Sequence, residues 1–330
     1  MQSNSPARPE YRQDPITGNW VVVAASRADR PIEFESPSIR RPSRQCPFCP
    51  GNEESTPDAS LELFDPNDGS WQVRVVANLY PAFDATFQSD QIQSNGLPAF
   101  GSHEVIIESS RHVSRLTELT DAEVAVVFEA YQQRLRSLAD DDRIAYGLLF
   151  KNCGLAAGIS LEHVHSQLVA LPIVPPVVDC ELRGARARFT ETNRCAFCDI
   201  ITQSEDRIVD SDDRFVALCP FASRFPYETW ILPRRHSAHY YTEDHVADLG
   251  RFVCLTLRRL EHRIPGAAYN MILHSSPFDS DRYDYYHWHI EIIPRLATVA
   301  GLEWGSGIHV NVVPPETAAS QLADQGVMPN

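Results

Sequence analysis

The chain has 330 residues, 43% hydrophobic and 22% charged, the balance of a globular protein of one large or two smaller domains. Lys and Arg number 29 against 44 Asp and Glu, and the net charge of −15 excludes a general binder of nucleic acid or anionic membrane. The longest apolar runs, at 20–25 and 124–128, fall far short of the ~20 residues that cross a bilayer.

The amino terminus, MQSNSPARPEYRQDP, is polar and lacks the apolar stretch of a secretory signal, which predicts a cytoplasmic protein. A C-x-x-C pair, Cys46 and Cys49, comes next, and then a polar stretch at 52–99. Residues 104–108 read as a strand, and His112 follows it. Apolar residues at three- and four-residue spacing predict a helix over 119–138. A strand at 146–151 leads to the loop 152–160, and a last strand carries His163, His165 and Gln167 on one face.

The same order then recurs. Cys195 and Cys198 come first, then a strand at 229–232, His236, a helix over 246–262 and a strand at 268–274. A last strand places His287, His289 and Glu291 on one face. His112 and His163 are 51 residues apart, and so are His236 and His287. The second Cys precedes the lone His by 63 residues in the first half and by 38 in the second, and the stretch 52–99 holds the difference. The sequence therefore predicts an α+β fold of two repeats, 1–178 and 179–330, ending in a short helix and a tail over 316–330.

In a cytosolic chain, C-x-x-C reads as a metal site or a redox pair. The histidines at repeated spacing favour metal. Cys46, Cys49, His112 and His163 form one four-ligand set, and Cys195, Cys198, His236 and His287 a second. Two thiolates and two imidazoles suit tetrahedral zinc, so two zinc ions per chain are expected, both structural. The other four cysteines read as small apolar fillers.

His165 lies two residues beyond the ligand His163. The loop before it, from Asn152 to Ser160, is rich in Gly and Ala, including Gly154 and Gly158, and lets backbone N–H groups approach a phosphate. His165 is then a candidate nucleophile for a nucleotidyl group, with Asn152, Ser160 and Gln167 as donors to phosphoryl oxygens. The second-half loop has no glycine, carries Asp279, Asp281 and Asp284, and ends on Glu291 in place of Gln. Those anions repel phosphate, which assigns the chemistry to the first half.

At HVHSQ, CPFC and FKNCGLAAGIS the chain resembles the galactose-1-phosphate uridylyltransferase family of the histidine-triad superfamily, and the likeness extends over 14–311. The resemblance implies two histidine-triad-like repeats, a mainly antiparallel sheet flanked by helices. It implies transfer by double displacement through a covalent nucleotidyl-His165, with zinc on Cys46, Cys49, His112 and His163. Arg27 and Arg30 match phosphate contacts of the family and Asn78 a nucleotide contact. Asn152, Gly158, Ser160 and Gln167 match its phosphate and sugar contacts. A homodimer is implied, with Gly305 and Ser306 as contacts across its interface. The expected activity is exchange between UDP-glucose and galactose 1-phosphate, with no nucleic acid or membrane partner. Two features depart from the family's H-P-H-P-Q pattern and second metal set: Val164 and Ser166 in HVHSQ, and the pair CAFC. Both are similar to the ADP-glucose phosphorylase branch, which implies AMP transfer between ADP-glucose and phosphate as the alternative. A hydrolase using water as acceptor and a zinc-stabilised, non-catalytic binding module are the further alternatives.

Overall fold

The computed structural model describes residues 9–25, 46–86, 99–279 and 283–324. β1 (Glu10–Gln13) and β2 (Trp20–Val23) form a hairpin. The first half then supplies β3 (Ala59–Phe64), β4 (Trp71–Ala77), β5 (Ser102–Ile107), α1 (Asp121–Ala139), β6 (Tyr146–Cys153) and β7 (His165–Leu171). Two helices, α2 (Pro176–Thr192) and α3 (Ala196–Gln203), lead into β8 (Ile208–Ser211), β9 (Phe215–Leu218) and β10 (Thr229–Pro233). After these come α4 (Val246–Arg263), β11 (Tyr269–His274) and β12 (His289–Pro294). The chain closes with α5 (Gly301–Ser306), β13 (His309–Asn311) and α6 (Pro315–Ala323). Residues 178 and 179 both lie within α2.

The fold is α+β. One antiparallel sheet of ten strands runs β3-β4-β5-β7-β6-β11-β12-β10-β9-β8. Read outward from the centre, β6-β7-β5-β4-β3 and β11-β12-β10-β9-β8 are the same order, so two equivalent five-strand units share one sheet. They meet where β6 pairs with β11, from Tyr269 opposite Cys153 to Leu273 opposite Leu149. β13 joins the hairpin as a third strand, parallel to β2.

Strand alternation sorts the core into two sides. On one side Ile106, Leu149, Leu168, Phe215, Ile231 and Ile290 pack under α1 and α4. α1 starts at a capping box in which Thr120 and Glu123 satisfy each other's backbone N–H groups. The two helices cross closely at Gly250, where a Cβ would sit 2.9 Å from Val124 Cγ1 and 3.1 Å from Phe128 Cδ2. On the other side, Val216, Leu218, Trp230 and Leu232 pack against α2 and α3, while Val76, Val105 and Ile107 pack around the first cysteine pair. Among the described residues, no helix is long and apolar enough to cross a membrane.

Candidate active site and metal centres

The cysteines and histidines converge in both halves. One donor atom each from Cys46, Cys49, His112 and His163 lies within 4.8 Å of every other, and the same holds for Cys195, Cys198, His236 and His287. His163 Nδ1 is 3.6 Å from both sulfurs of its pair, and His112 Nδ1 is 3.1 Å from Cys49 Sγ. His236 and His287 place Nδ1 at 3.5 and 3.6 Å from Cys198 Sγ. Tetrahedral zinc, with bonds of about 2.3 Å to sulfur and 2.0–2.1 Å to nitrogen, separates such ligands by about 3.6 Å. The donor sets therefore fit zinc. His163 Nε2–H donates to the Ser109 carbonyl at 2.7 Å and His287 Nε2–H to that of Pro233 at 2.8 Å. Each bond turns the Nδ1 lone pair toward the sulfurs. A closed set of four suits a structural ion.

β7 begins at His165, so His163 lies just ahead of the strand rather than on its face as alternation predicts. There Val164 N–H bonds to the Val113 carbonyl at 2.7 Å, a local contact that holds His163 toward the cysteines. His287 likewise precedes β12.

His165 Nδ1–H donates to the His163 carbonyl at 2.7 Å. That bond leaves Nε2 as the ring's free lone pair. Burial pushes the imidazole's pKa below its ordinary value, with the Lys151 charge a lesser cause, so the neutral, nucleophilic form is favoured. His165 lines a cavity of about 470 Å³ together with Gln167, Ser160, Asn78 and Phe48. Gln167 Oε1 is 2.8 Å from His103 Nε2, a partner that belongs to none of the sequence motifs. Asn78 Oδ1 accepts from Tyr80 N–H at 2.9 Å, which turns the chain at the cavity mouth.

The loop between β6 and β7 has Gly154 at φ +83° and Gly158 at φ +90°. A Cβ on Gly154 would also lie 2.7 Å from Ala268 Cβ. The chain can turn here only with glycine. Asn152 accepts a hydrogen bond from Asn270 Nδ2 at 2.7 Å, and the same nitrogen donates to the Ala157 carbonyl at 3.0 Å, so Asn270 ties the loop to the second half. Asn152 and Gly158 do not line the His165 cavity. Gly305 and Ser306 belong to α5 and do not line it either. Arg27 and Arg30 lie outside the described residues.

A third cluster joins Glu181, His274, His289 and Glu291, all buried. His274 Nδ1 lies 3.1 Å from Glu181 Oε2, and its Nε2 3.5 Å from Glu291 Oε2. Arg224 reaches Glu291 at 2.7 Å and Glu228 at 3.0 Å. Burial opposes a charge on His274, but Glu181 and Glu291 outweigh it and push the pKa up to about 10. His274 and Arg224, both cationic, offset the charges of Glu181 and Glu291 from within the protein. Glu181, His274 and Arg224 are too far apart in sequence for any spacing pattern to pair them.

The family profile described as galactose-1-phosphate uridyl transferase, N-terminal domain, matches residues 2–175. Over 330 aligned residues the chain is 36% identical to an ADP-glucose phosphorylase of Arabidopsis thaliana, covering 96% of this chain and 93% of that protein. The chain belongs to the galactose-1-phosphate uridylyltransferase family. A galactose-1-phosphate uridylyltransferase of Thermotoga maritima is 26% identical, with 96% of this chain and 99% of that protein covered. The crystal structure of an Arabidopsis thaliana ADP-glucose phosphorylase with bound ADP-glucose superposes with a TM-score of 0.86 at 35% identity, over 97% of this chain and all of that one. A uridylyltransferase structure gives a TM-score of 0.75 at 30% identity, over 95% of this chain and 97% of that one. Membership of this family makes the chain a nucleotidyltransferase with two histidine-triad-like repeats.

Proposed function

We propose that this member of the family transfers AMP between ADP-glucose and inorganic phosphate by double displacement through His165. The observation that carries the choice of substrate is the 36% identity to an ADP-glucose phosphorylase against 26% to the Thermotoga uridylyltransferase, over nearly equal shares of this chain.

In the first step His165 Nε2 bonds to the α-phosphorus, and the bond from that phosphorus to the bridging oxygen breaks. Glucose 1-phosphate leaves with the bond's electrons. In the second step a phosphate oxygen attacks the same phosphorus and the P–N bond breaks, which gives ADP and restores neutral His165. The His163 carbonyl, already bonded to Nδ1–H, supports the positive charge that the ring acquires when Nε2 is substituted. Gln167 and Ser160 serve the phosphoryl oxygens from the cavity wall, with Asn152 and Gly158 shaping the loop beside them. Asn78 meets the nucleoside. Arg27 and Arg30 contribute phosphate contacts. The chemistry belongs to the unit 1–178, while 179–330 carries a structural site. Two zinc ions, on Cys46, Cys49, His112, His163 and on Cys195, Cys198, His236, His287, brace the two halves. In a homodimer, Gly305 and Ser306 would serve the neighbouring subunit's site.

Exchange between UDP-glucose and galactose 1-phosphate is the second reading, favoured by a family profile that covers the catalytic half. A four-way turnover assay separates the two, with ADP-glucose or UDP-glucose as donor and phosphate or galactose 1-phosphate as acceptor. ADP and glucose 1-phosphate from ADP-glucose and phosphate are expected. UDP-galactose as the dominant product would overturn the phosphorylase reading and leave the uridylyl one.

A further inference from the structure

Beneath the nucleophile, on the sheet face that α1 covers, four side chains sit away from the cavity and form a closed set. Lys151, Glu108, Tyr131 and Ser166 are all at most 1% exposed. Lys151 Nζ is 2.5 Å from Glu108 Oε2, and it donates at 2.9 Å to the main-chain carbonyl of His165. The Tyr131 and Ser166 hydroxyls both donate to Glu108 Oε1, and their oxygens lie 2.7 Å apart.

The place of that carbonyl matters. The β6–β7 ladder runs from Tyr146 opposite Leu171 only to Phe150 opposite Gln167. Beyond that pair the strands part to admit the glycine loop, and the next carbonyl on this side belongs to His165. The Lys151 ammonium takes it over where the ladder stops. A buried ion pair is seldom kept for stability, since apolar side chains of like volume commonly serve as well. Lys151 also belongs to FKNCGLAAGIS and Ser166 to HVHSQ, two of the motifs that carry the resemblance to the family. Glu108 is where the two motifs meet.

We propose that Lys151 is a positioning residue for nucleotidyl transfer: paired with Glu108, it holds the His165 carbonyl, and with Ser166 and Tyr131 it fixes the height and direction of the attacking imidazole. The proposal rests on the reading of His165 as nucleophile.

The test uses the full chain with its metal. Formation of labelled protein from ADP-glucose carrying label in the adenylate is followed by rapid quench, and AMP affinity by calorimetry. In the double variant Lys151→Met, Glu108→Leu, labelling is expected to slow by about 10- to 100-fold while AMP affinity stays within about threefold, because a misplacement of about 1 Å costs rate rather than binding. Labelling at the wild-type rate would sink the proposal. So would parallel losses of rate, affinity and melting temperature, which mark a purely structural pair. Should that variant fail to fold, Ser166→Ala and Tyr131→Phe keep the ion pair. Each is expected to slow labelling by about threefold or more, and the two together by less than the product, because they share Glu108. Wild-type rates in both would overturn the proposal. A wild-type chain that never labels would instead refute the nucleophile itself, an outcome distinct from equal labelling by wild type and variant.

Discussion

His165 and His289 hold equivalent places in the two halves, but His165 lines a cavity of about 470 Å³ while His289 is only 1% exposed. In the first half Val105 lies opposite Gln167 across β5 and β7, and in the second Trp230 lies opposite Glu291 across β10 and β12. The Trp230 ring covers His289 at 5.1 Å and 33°, and Phe197 flanks it at 5.0 Å. His274 stacks on it at 4.7 Å and 18°. His274 stands where the first half has Asn152, each being two residues past the one that faces Glu291 or Gln167. Val105 and Gln167 give the cavity a neutral wall, and Asn152 adds no charge beside it. Trp230 and His274 cover His289, so the cavity of about 380 Å³ on this side is lined by Trp230, Phe197 and the charged Glu291 but not by the histidine. One backbone plan thus gives a reachable histidine in one half and a packed one in the other, and three side chains decide which.

The comparison is tested most severely at the two histidines. His165→Asn is expected to lower kcat/KM by about 1000-fold or more, while His289→Asn leaves turnover per folded molecule intact. Equal losses in steady-state assays would mean that both halves take part in the chemistry. Stripping the metal comes next, with an expected drop in melting temperature on the order of 10 °C, because metal binding and folding share free energy. Cys46→Ser should cost stability and transfer together, and Cys198→Ser stability alone. An unchanged melt after verified metal loss would end the structural reading of both clusters. Trp230→Val, which imitates the first half, is expected to cost about 3 kcal/mol in denaturant titration without affecting transfer.

The smallest effect concerns pH. His274 is held at about 10, above its unfolded value near 6.5, so its stabilisation is complete below the unfolded value and lost as pH climbs through the folded one. The groups that face it are Glu181 from α2 and Glu291 and His289 from β12. Melting temperature is expected to decline from neutral pH toward pH 10, less steeply in His274→Gln. Parallel curves for the two proteins would remove His274 from the account.

Much of this was legible in sequence because the metal ligands punctuate it. The helix expected over 119–138 is α1, and the one over 246–262 is α4, a single residue longer at its end. The 51-residue spacing marked the repeat because each strand–helix–strand unit must return its histidine to the same cysteines. The ion networks were not legible. Glu108 and Lys151 each stand at the end of a short apolar strand run, after Val105–Ile107 and Leu148–Phe150, a signal that a charge there needs a partner but not which one. Trp230 reads as an ordinary strand residue, and only the pairing of β10 with β12 shows that it lies opposite Glu291 and over His289.

The junction of β6 with β11 carries a consequence for anyone who would divide the molecule. Separated at the middle of α2, each fragment would present a bare inner strand, and a bare strand is a template for whatever pairs with it. The two bare strands match each other in register over five residue pairs, from Tyr269–Cys153 to Leu273–Leu149. Separately expressed fragments are therefore natural partners for reassembly, and the peptide linking them acts more as a tether than as a hinge.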